Sequence, residues 1–412
     1  MDTVSVMIAV PKYQEDLKDF EGMMNRLANM DGVTLVEHDF NEGLNATIEQ
    51  DGVKYEMKFY PTEIEIPQLY RVQHTFPDVD IETIQKAEIG LAVELEFEED
   101  VQISYQLQLR LITTLVPGAV AVLDVSSEKI LSGKWVELAA ESKVLPAPRY
   151  IYTVQAIYGE QEDNVWLHTH GMNRCGLPEL EILASSKDMA QTHYSIIETL
   201  ANRLLEMEDV PNDGEPMYLA MVTDQIPLFV TLVDWEEAVE HYPEDMLGGR
   251  NDRMESHNED TSCIFIFATP DDLESGEYSP VFVFDEFLQE NPIFMISDRE
   301  TDRMRNLARE RMQYLCQAYK KNPDLNVLIK IGLDVDEEFK EEGNANKEHI
   351  WFELLELGEN SMKCELTQEP YYVKALHQGS QGTYTFDQIT DWMIFTEERR
   401  ITPDDVYIMG LE

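Results

Sequence analysis

Positive charge is scarce in this chain. Lys and Arg together number 31 against 81 Asp and Glu, for a formal net charge of −50. Nucleic acids are polyanions held by cationic side chains that displace counterions, so no nucleic-acid partner is expected. An anionic membrane surface is disfavoured for the same reason. Long hydrophobic runs are also lacking. The most apolar stretch, residues 111–123, is interrupted by Thr113, Thr114, Pro117 and Gly118 and closed by Asp124, too broken for a bilayer-spanning helix. Met1-Asp2-Thr3 offers no basic lead-in to an apolar core, which argues against a secretory signal. The only cysteines are Cys175, Cys263, Cys316 and Cys364. Their wide spacing suggests neither a CxxC motif nor a disulfide framework, and predicts a reducing, cytoplasmic setting. Phosphate-binding GxxxxGK and GxGxxG signatures are missing, as is the GxSxG nucleophile elbow. No internal repeat or long low-complexity tract is evident.

What is present supports a folded, modular protein. With 412 residues and 43% hydrophobic content, two or three cores are expected. The anticipated class is α+β, with mainly antiparallel sheets and flanking helices. The segments read as an N-terminal domain (1–115), a middle domain (116–297) and a C-terminal domain (298–412).

In the first segment, residues 4–10 read as a strand and 14–30 as a helix, with Leu17, Phe20, Met24 and Leu27 on one face. Strands are predicted at 33–38, 44–50 and 55–60, whereas 84–97 is compatible with helix or strand. The middle segment offers strands at 120–125, 150–158, 165–170, 180–183, 263–268 and 281–284, and a helix at 189–207. Its polar stretch 242–261, containing Gly248-Gly249, reads as a mobile surface loop. In the last segment a helix over 299–319 carries Arg299, Arg303, Arg305, Arg309 and Arg311. With so many acids available, those arginines are expected to bind other segments of the same chain. A strand at 326–333 and a hairpin of 349–357 with 362–367 follow, and Trp351 and Trp392 are assigned to the core.

One stretch concentrates groups able to hold a metal or move protons: Trp166-Leu167-His168-Thr169-His170-Gly171, followed by Pro178-Glu179-Leu180-Glu181. Residues i and i+2 of a strand share a face. His168 and His170 on one strand and Glu179 and Glu181 on the next therefore form a candidate set for a divalent metal such as Zn²⁺, Mn²⁺ or Fe²⁺. The alternative is that the histidines hydrogen-bond at a strand end while the glutamates face solvent. Cys175 near the histidines is a candidate activated thiolate, or an idle buried hydrophobe. His193 reads as a packing residue on the helix, and His241 and His257 as exposed residues flanking the polar loop.

Several of these residues carry resemblances. Over its full length the chain resembles the bacterial family known as domain of unknown function 4026. Its last third, through His349-Ile350-Trp351-Phe352, Gly358 and Ile389-Thr390-Asp391-Trp392, resembles domain of unknown function 2314. The middle segment is similar to further uncharacterised domains that pair a His-Gly or Thr-Gly strand with Pro178-Glu179-Leu180-Glu181-Ile182. These resemblances imply kinship and modularity, but no reaction. A looser similarity links HxH followed by Ser185-Ser186-Lys187-Asp188, with Glu160 or Glu162 upstream as base, to zinc isopeptidases of the JAMM type. Gly171 stands where that pattern has proline, and the gap to Ser185 is longer.

The sequence thus supports a cytoplasmic, non-enzymatic protein of immunity or accessory type. It would recognise another protein, a basic one in particular, and need no cofactor. The alternative is a metal-dependent hydrolase centred on His168 and His170.

Overall fold

A computed structural model describes residues 3–41, 43–68, 70, 76–159, 163–207, 210–223, 226–244, 246–253, 260–290, 297–340 and 346–410. The chain forms two compact units, one of Met1–Glu141 with Pro146–Met295, the other of Ser142–Leu145 with Ile296–Glu412. The class is α+β, as the alternation of short strands and amphipathic helices predicted.

The first unit holds two sheets. Sheet one comprises β1 (Val4–Val10), β2 (Thr34–Phe40), β3 (Leu44–Gln50), β4 (Val53–Glu63), β5 (Ile89–Glu96), β6 (Ala121–Asp124) and β7 (Lys129–Ser132). They lie in the order β2-β3-β4-β5-β1-β6-β7. The stretch 84–97, ambiguous by periodicity, divides into a helical turn, Ile81–Ile84, and β5. Asp80 caps that turn by accepting from the N–H groups of Glu82 and Thr83. The strand expected in the middle segment at 120–125 belongs instead to this sheet: β6 pairs antiparallel with β1, Met7 opposite Asp124. Local pattern shows that a strand exists but not which neighbour it finds.

The broken apolar stretch near residue 111 is half helix and half strand. Asp100 caps the helix Val101–Leu115 by accepting from Gln102 and Ile103 N–H. Leu107, Leu111, Ile112 and Leu115 of this helix are buried. Buried Gln108 donates to Ser5 O and Val93 O at 2.9 Å each, tying the helix to the sheet.

Sheet two contains β8 (Thr153–Tyr158), β9 (Asn164–His170), β10 (Glu179–Ser186), β11 (Met217–Thr223), β12 (Ile226–Asp234) and β13 (Thr261–Phe267). Its order is β11-β12-β13-β10-β9-β8, with the two-residue β14 (Ser279–Pro280) beside β13. Among the described residues only the β10–β13 pair of this sheet is parallel. The helix Ala190–Leu204 packs on β8, β9 and β10, burying Ile196, Ile197, Leu200 and Leu204. A second core joins Trp166, Leu183 and Phe265 to Tyr242 and Met246 from the polar stretch. Residues 281–284, predicted as a strand, form a 3-10 turn, Val281–Phe284. The strand ends one residue earlier, with Pro280 of β14 opposite Phe265.

The second unit carries sheet three: β15 (Asn326–Asp334), β16 (Lys347–Leu357), β17 (Ser361–Leu366), β18 (Gln381–Thr385), β19 (Ile389–Phe395) and β20 (Arg400–Ile401), in the order β18-β17-β16-β15-β19-β20. The predicted hairpin is β16–β17. The arginine-rich helix is two helices, Asp298–Glu310 and Met312–Lys321, broken at Arg311. Its arginines are used internally. Arg303 pairs with Glu300 and Asp404, Arg305 with Asp302, and Arg309 donates to the Ile389 and Asp387 carbonyls. Trp392 is fully buried, its indole donating to Ala308 O at 3.0 Å. Trp351 is only half-buried, and the Lys330 ammonium lies 5.4 Å from its ring centroid.

Candidate functional site

The period of β9 places Trp166, His168 and His170 on one face. Their rings follow one another, with centroids 4.6 Å apart from Trp166 to His168 and 4.9 Å from His168 to His170. Register extends this into a row across the sheet. Gln155 of β8 lies opposite His168, Glu181 of β10 lies on its other side, and Cys263 of β13 pairs with Glu181. All four are buried.

Of the residues expected to form a metal set, Glu181 and His168 are therefore neighbours across the two strands, but both glutamate side chains have other partners. The Glu179 carboxylate accepts from the Thr169 hydroxyl at 2.7 Å and from the N–H groups of Gly171 and Asn173 at 2.8 and 3.1 Å. It serves the turn after β9, where chain reversal leaves amides without strand partners. Burial raises its pKa, and these hydrogen bonds oppose the rise. Glu181 faces Arg253, whose guanidinium donates to its two oxygens at 3.0 and 2.6 Å. The side chains of this pair are 1% and 0% exposed. Burial raises the Glu181 pKa to about 7, against the pull of Arg253. Among the described residues no group of three or more His, Cys, Asp or Glu could hold a metal ion. Sequence spacing shows which residues share a strand face, but a carboxylate goes to the nearest unsatisfied donors.

Nothing in the local pattern singles out Arg253, because it lies in the polar stretch that reads as a mobile surface loop. Within its described residues, 242–244, 246–253 and 260–261, Tyr242, Met246, Gly248 and Gly249 are instead buried, while 250–252 are exposed. The Arg253 guanidinium lies 4.4 Å from the Trp235 ring centroid and 5.9 Å from that of Trp166. Gly248 permits the approach: its φ is +80°, and a Cβ there would sit 2.8 Å from the Trp166 ring. The signal in the sequence is no more than an arginine within an acidic segment. His241 is exposed, as expected. His257, Glu160 and Glu162 lie outside the described residues.

The turn itself presents a second residue that the sequence pattern does not mark. Arg174 projects from the 3-10 turn Asn173–Cys175 into sheet one. It makes a two-pronged pair with Asp124 at 2.9 and 3.0 Å and donates to Ser5 Oγ at 2.9 Å and to the Ile151 carbonyl. The rings of Tyr105 and Phe97 flank it at 5.3 and 5.6 Å. Gly171 starts this turn at φ +107°, where a Cβ would lie 2.7 Å from Ile151 O. Lys129 is buried nearby, donating to the carbonyls of Tyr150 and Tyr152, and burial lowers its pKa to about 7. The neighbouring Cys175 is no thiolate: burial pushes it up to about 12.

His170 approaches a polar group that reaches solvent. Its Nε2 lies 3.7 Å from the Glu128 carboxylate, whose side chain is 27% exposed and which accepts from Gln155 at 2.6 Å. Burial lowers the His170 pKa to about 4, so the imidazole is neutral in the folded protein at neutral pH. Ordinary histidine titrates at 6.5, so between these values the unfolded chain binds the extra proton. The stability contributed by a neutral His170 is present above pH 6.5 and is lost as pH falls toward about 4. Denaturant melts from pH 7 to pH 4 should show a smaller loss for His170→Gln than for wild type. Parallel curves would refute this assignment.

A third arrangement has the outline of a catalytic triad. His193 Nδ1 lies 2.8 Å from Ser185 Oγ, and its Nε2 lies 2.9 Å from Asp285 Oδ1. Burial runs the wrong way for nucleophilic catalysis. Ser185 and His193 are buried, whereas the Asp285 side chain is 30% exposed. A substrate would meet the acid and not the hydroxyl. The chain Ser185–His193–Asp285 instead clasps the helix Asp285–Glu290 to the sheet and helix beneath it. Ser185, the first serine of the isopeptidase-like stretch, is thereby used structurally.

Residues 5–146 match the family model described as Protein of unknown function (DUF4026) N-terminal, and residues 154–265 match Protein of unknown function (DUF4026) C-terminal. The chain belongs to this family. Sheet one lies almost wholly within the first match and sheet two within the second, with β6 and β7 inside the first. Residues 301–405 match Uncharacterized protein conserved in bacteria (DUF2314), which takes in sheet three. No curated protein and no solved structure matches the chain. Among the described residues no helix is long and apolar enough to cross a membrane.

Proposed function

We propose that this protein works by binding another protein, one bearing positive charge, and not by catalysis. The observation that carries this reading is the commitment of the buried acid and base groups to internal partners. Glu179 serves turn amides, Glu181 serves Arg253 and His193 serves Ser185 and Asp285. The hydrolase alternative thereby loses both carboxylates it needs as ligand or base. The net charge of −50 supports the identity of the partner, because a field of one sign steers oppositely charged proteins inward. A cytoplasmic, immunity- or accessory-type role accords with this profile.

The test is cross-linking of the full chain to its partner in low salt, followed by binding of the purified pair across a salt series. The expected partner has a basic surface, and affinity should fall as ionic strength rises. An acidic partner, or binding insensitive to salt, would overturn the charge argument. Stoichiometric divalent metal in the purified protein, lost in His168→Ala, would decide for the hydrolase.

A further inference from the structure

Among the described residues the three sheets end in six edge strands, and one differs from the rest. β7 is wholly buried, β20 has two residues, and β8 and β11 each bury half or more of their residues. β18 is a five-residue strand containing Gly382. In β2, by contrast, six of seven residues are exposed on an edge and only Leu35 is half-buried. Its residues, Thr34-Leu35-Val36-Glu37-His38-Asp39-Phe40, include no proline, lysine or arginine; the charges it carries are the acids Glu37 and Asp39, which keep like edges apart without barring a cationic strand. One bulge interrupts its pairing between Leu35 and Glu37, after which 37–40 pair regularly with β3.

Two features point to an occupant. Val36 and Phe40 are 45% and 65% exposed. Phe40 is held in place by Phe20, with ring centroids 5.1 Å apart, so it offers a fixed apolar contact. Around it the charge is negative: Glu37 and Asp39 lie on β2, and Thr47 donates to Glu56 at 2.8 Å and Glu37 at 3.4 Å.

A second copy of β2 is a poor occupant. Antiparallel self-pairing about His38 sets Glu37 opposite Asp39, and pairing about either acid sets it opposite itself. Like charges directly opposite destabilise a ladder. A strand with Lys or Arg at alternate positions reverses every one of these repulsions.

We propose that β2 is a docking edge at which an extended, cationic segment of a protein partner adds as a further strand of sheet one, the backbone supplying affinity and the acids selectivity. This rests on the protein-binding reading above and locates its surface. The probe is a capped peptide of about eight residues alternating Lys and Val, long enough to span β2 at ~3.4 Å per residue. It is titrated into the full chain, with hydrogen exchange read along 34–40.

Saturation should slow exchange of β2 amides at least ~10-fold. Methylating alternate peptide nitrogens along one edge keeps the charge but removes the ladder bonds, and should weaken binding at least ~10-fold. Glu37→Lys with Asp39→Lys should do the same. Both sites are exposed, and if that variant misfolds the methylated peptide against wild type decides the matter by itself. Equal binding of the methylated peptide, or protection elsewhere than β2, overturns the docking edge while leaving the protein-binding reading standing. Failure to find any basic partner by cross-linking would remove both.

Discussion

Arg174→Ala is expected to destabilise the first unit by about 3–5 kcal/mol, because it strands the Asp124 carboxylate without its paired guanidinium in a buried site. The two side chains are 1% and 0% exposed, so solvent cannot replace the lost guanidinium. The turn after β9 also loses its anchor to sheet one, since the same arginine holds Ser5 and the Ile151 carbonyl. Chemical denaturation of the full chain measures the effect. Replacing both members, Arg174→Met with Asp124→Leu, should recover much of the loss, as apolar substitutes commonly do for buried pairs. A loss below about 1 kcal/mol for Arg174→Ala, the range of exposed ion pairs, would show that water reaches the site.

Arg253→Ala is the second large effect, again about 3–5 kcal/mol near neutral pH, and it carries a pH signature. The Glu181 pKa is raised from 4.5 to about 7 in the folded protein. Between those values the folded chain holds the extra proton, so this group's contribution to stability falls as pH rises through the window. Removing Arg253 takes away the charge that favours the carboxylate, so the folded pKa climbs and the loss extends to higher pH. Arg253→Ala should therefore be most damaging above pH 7 and recover toward pH 5. Glu181→Gln in the same background should restore stability at neutral pH. A variant equally destabilised at both ends of that range would sink the pairing argument.

Arg174 and Arg253 mark the point at which local pattern stops being informative. Alternation identifies β9 and β10, and period two places His168 and His170 together, because side-chain direction along a strand is a local property. The hairpin of β16 and β17 is legible for the same reason. The partner of a strand is not local, so β6, which reads as part of the middle segment, finds its ladder with β1 instead. Residues 281–284 are apolar enough for a strand, but they form a 3-10 turn directly after Pro280, with Val281 and Phe284 buried and Phe282 and Val283 exposed. The internal pairing of the arginine-rich helix is foreseeable, since acids outnumber bases wherever the chain folds back. The candidate site is half legible. Glu181 does lie opposite His168, yet what Glu179 and Glu181 do depends on turn amides and on Arg253, 72 residues from Glu181.

The sequence by itself determined the α+β class, the excess of negative charge and the family, because composition, periodicity and short motifs are carried by neighbouring residues. Tertiary structure alone decided that Arg253 closes over Glu181, that Arg174 is sealed against Asp124, and that β2 is left as an exposed edge. Each of these depends on contacts between distant segments, where removal from water makes one charge seek another and where strand order determines which backbone stays unpaired.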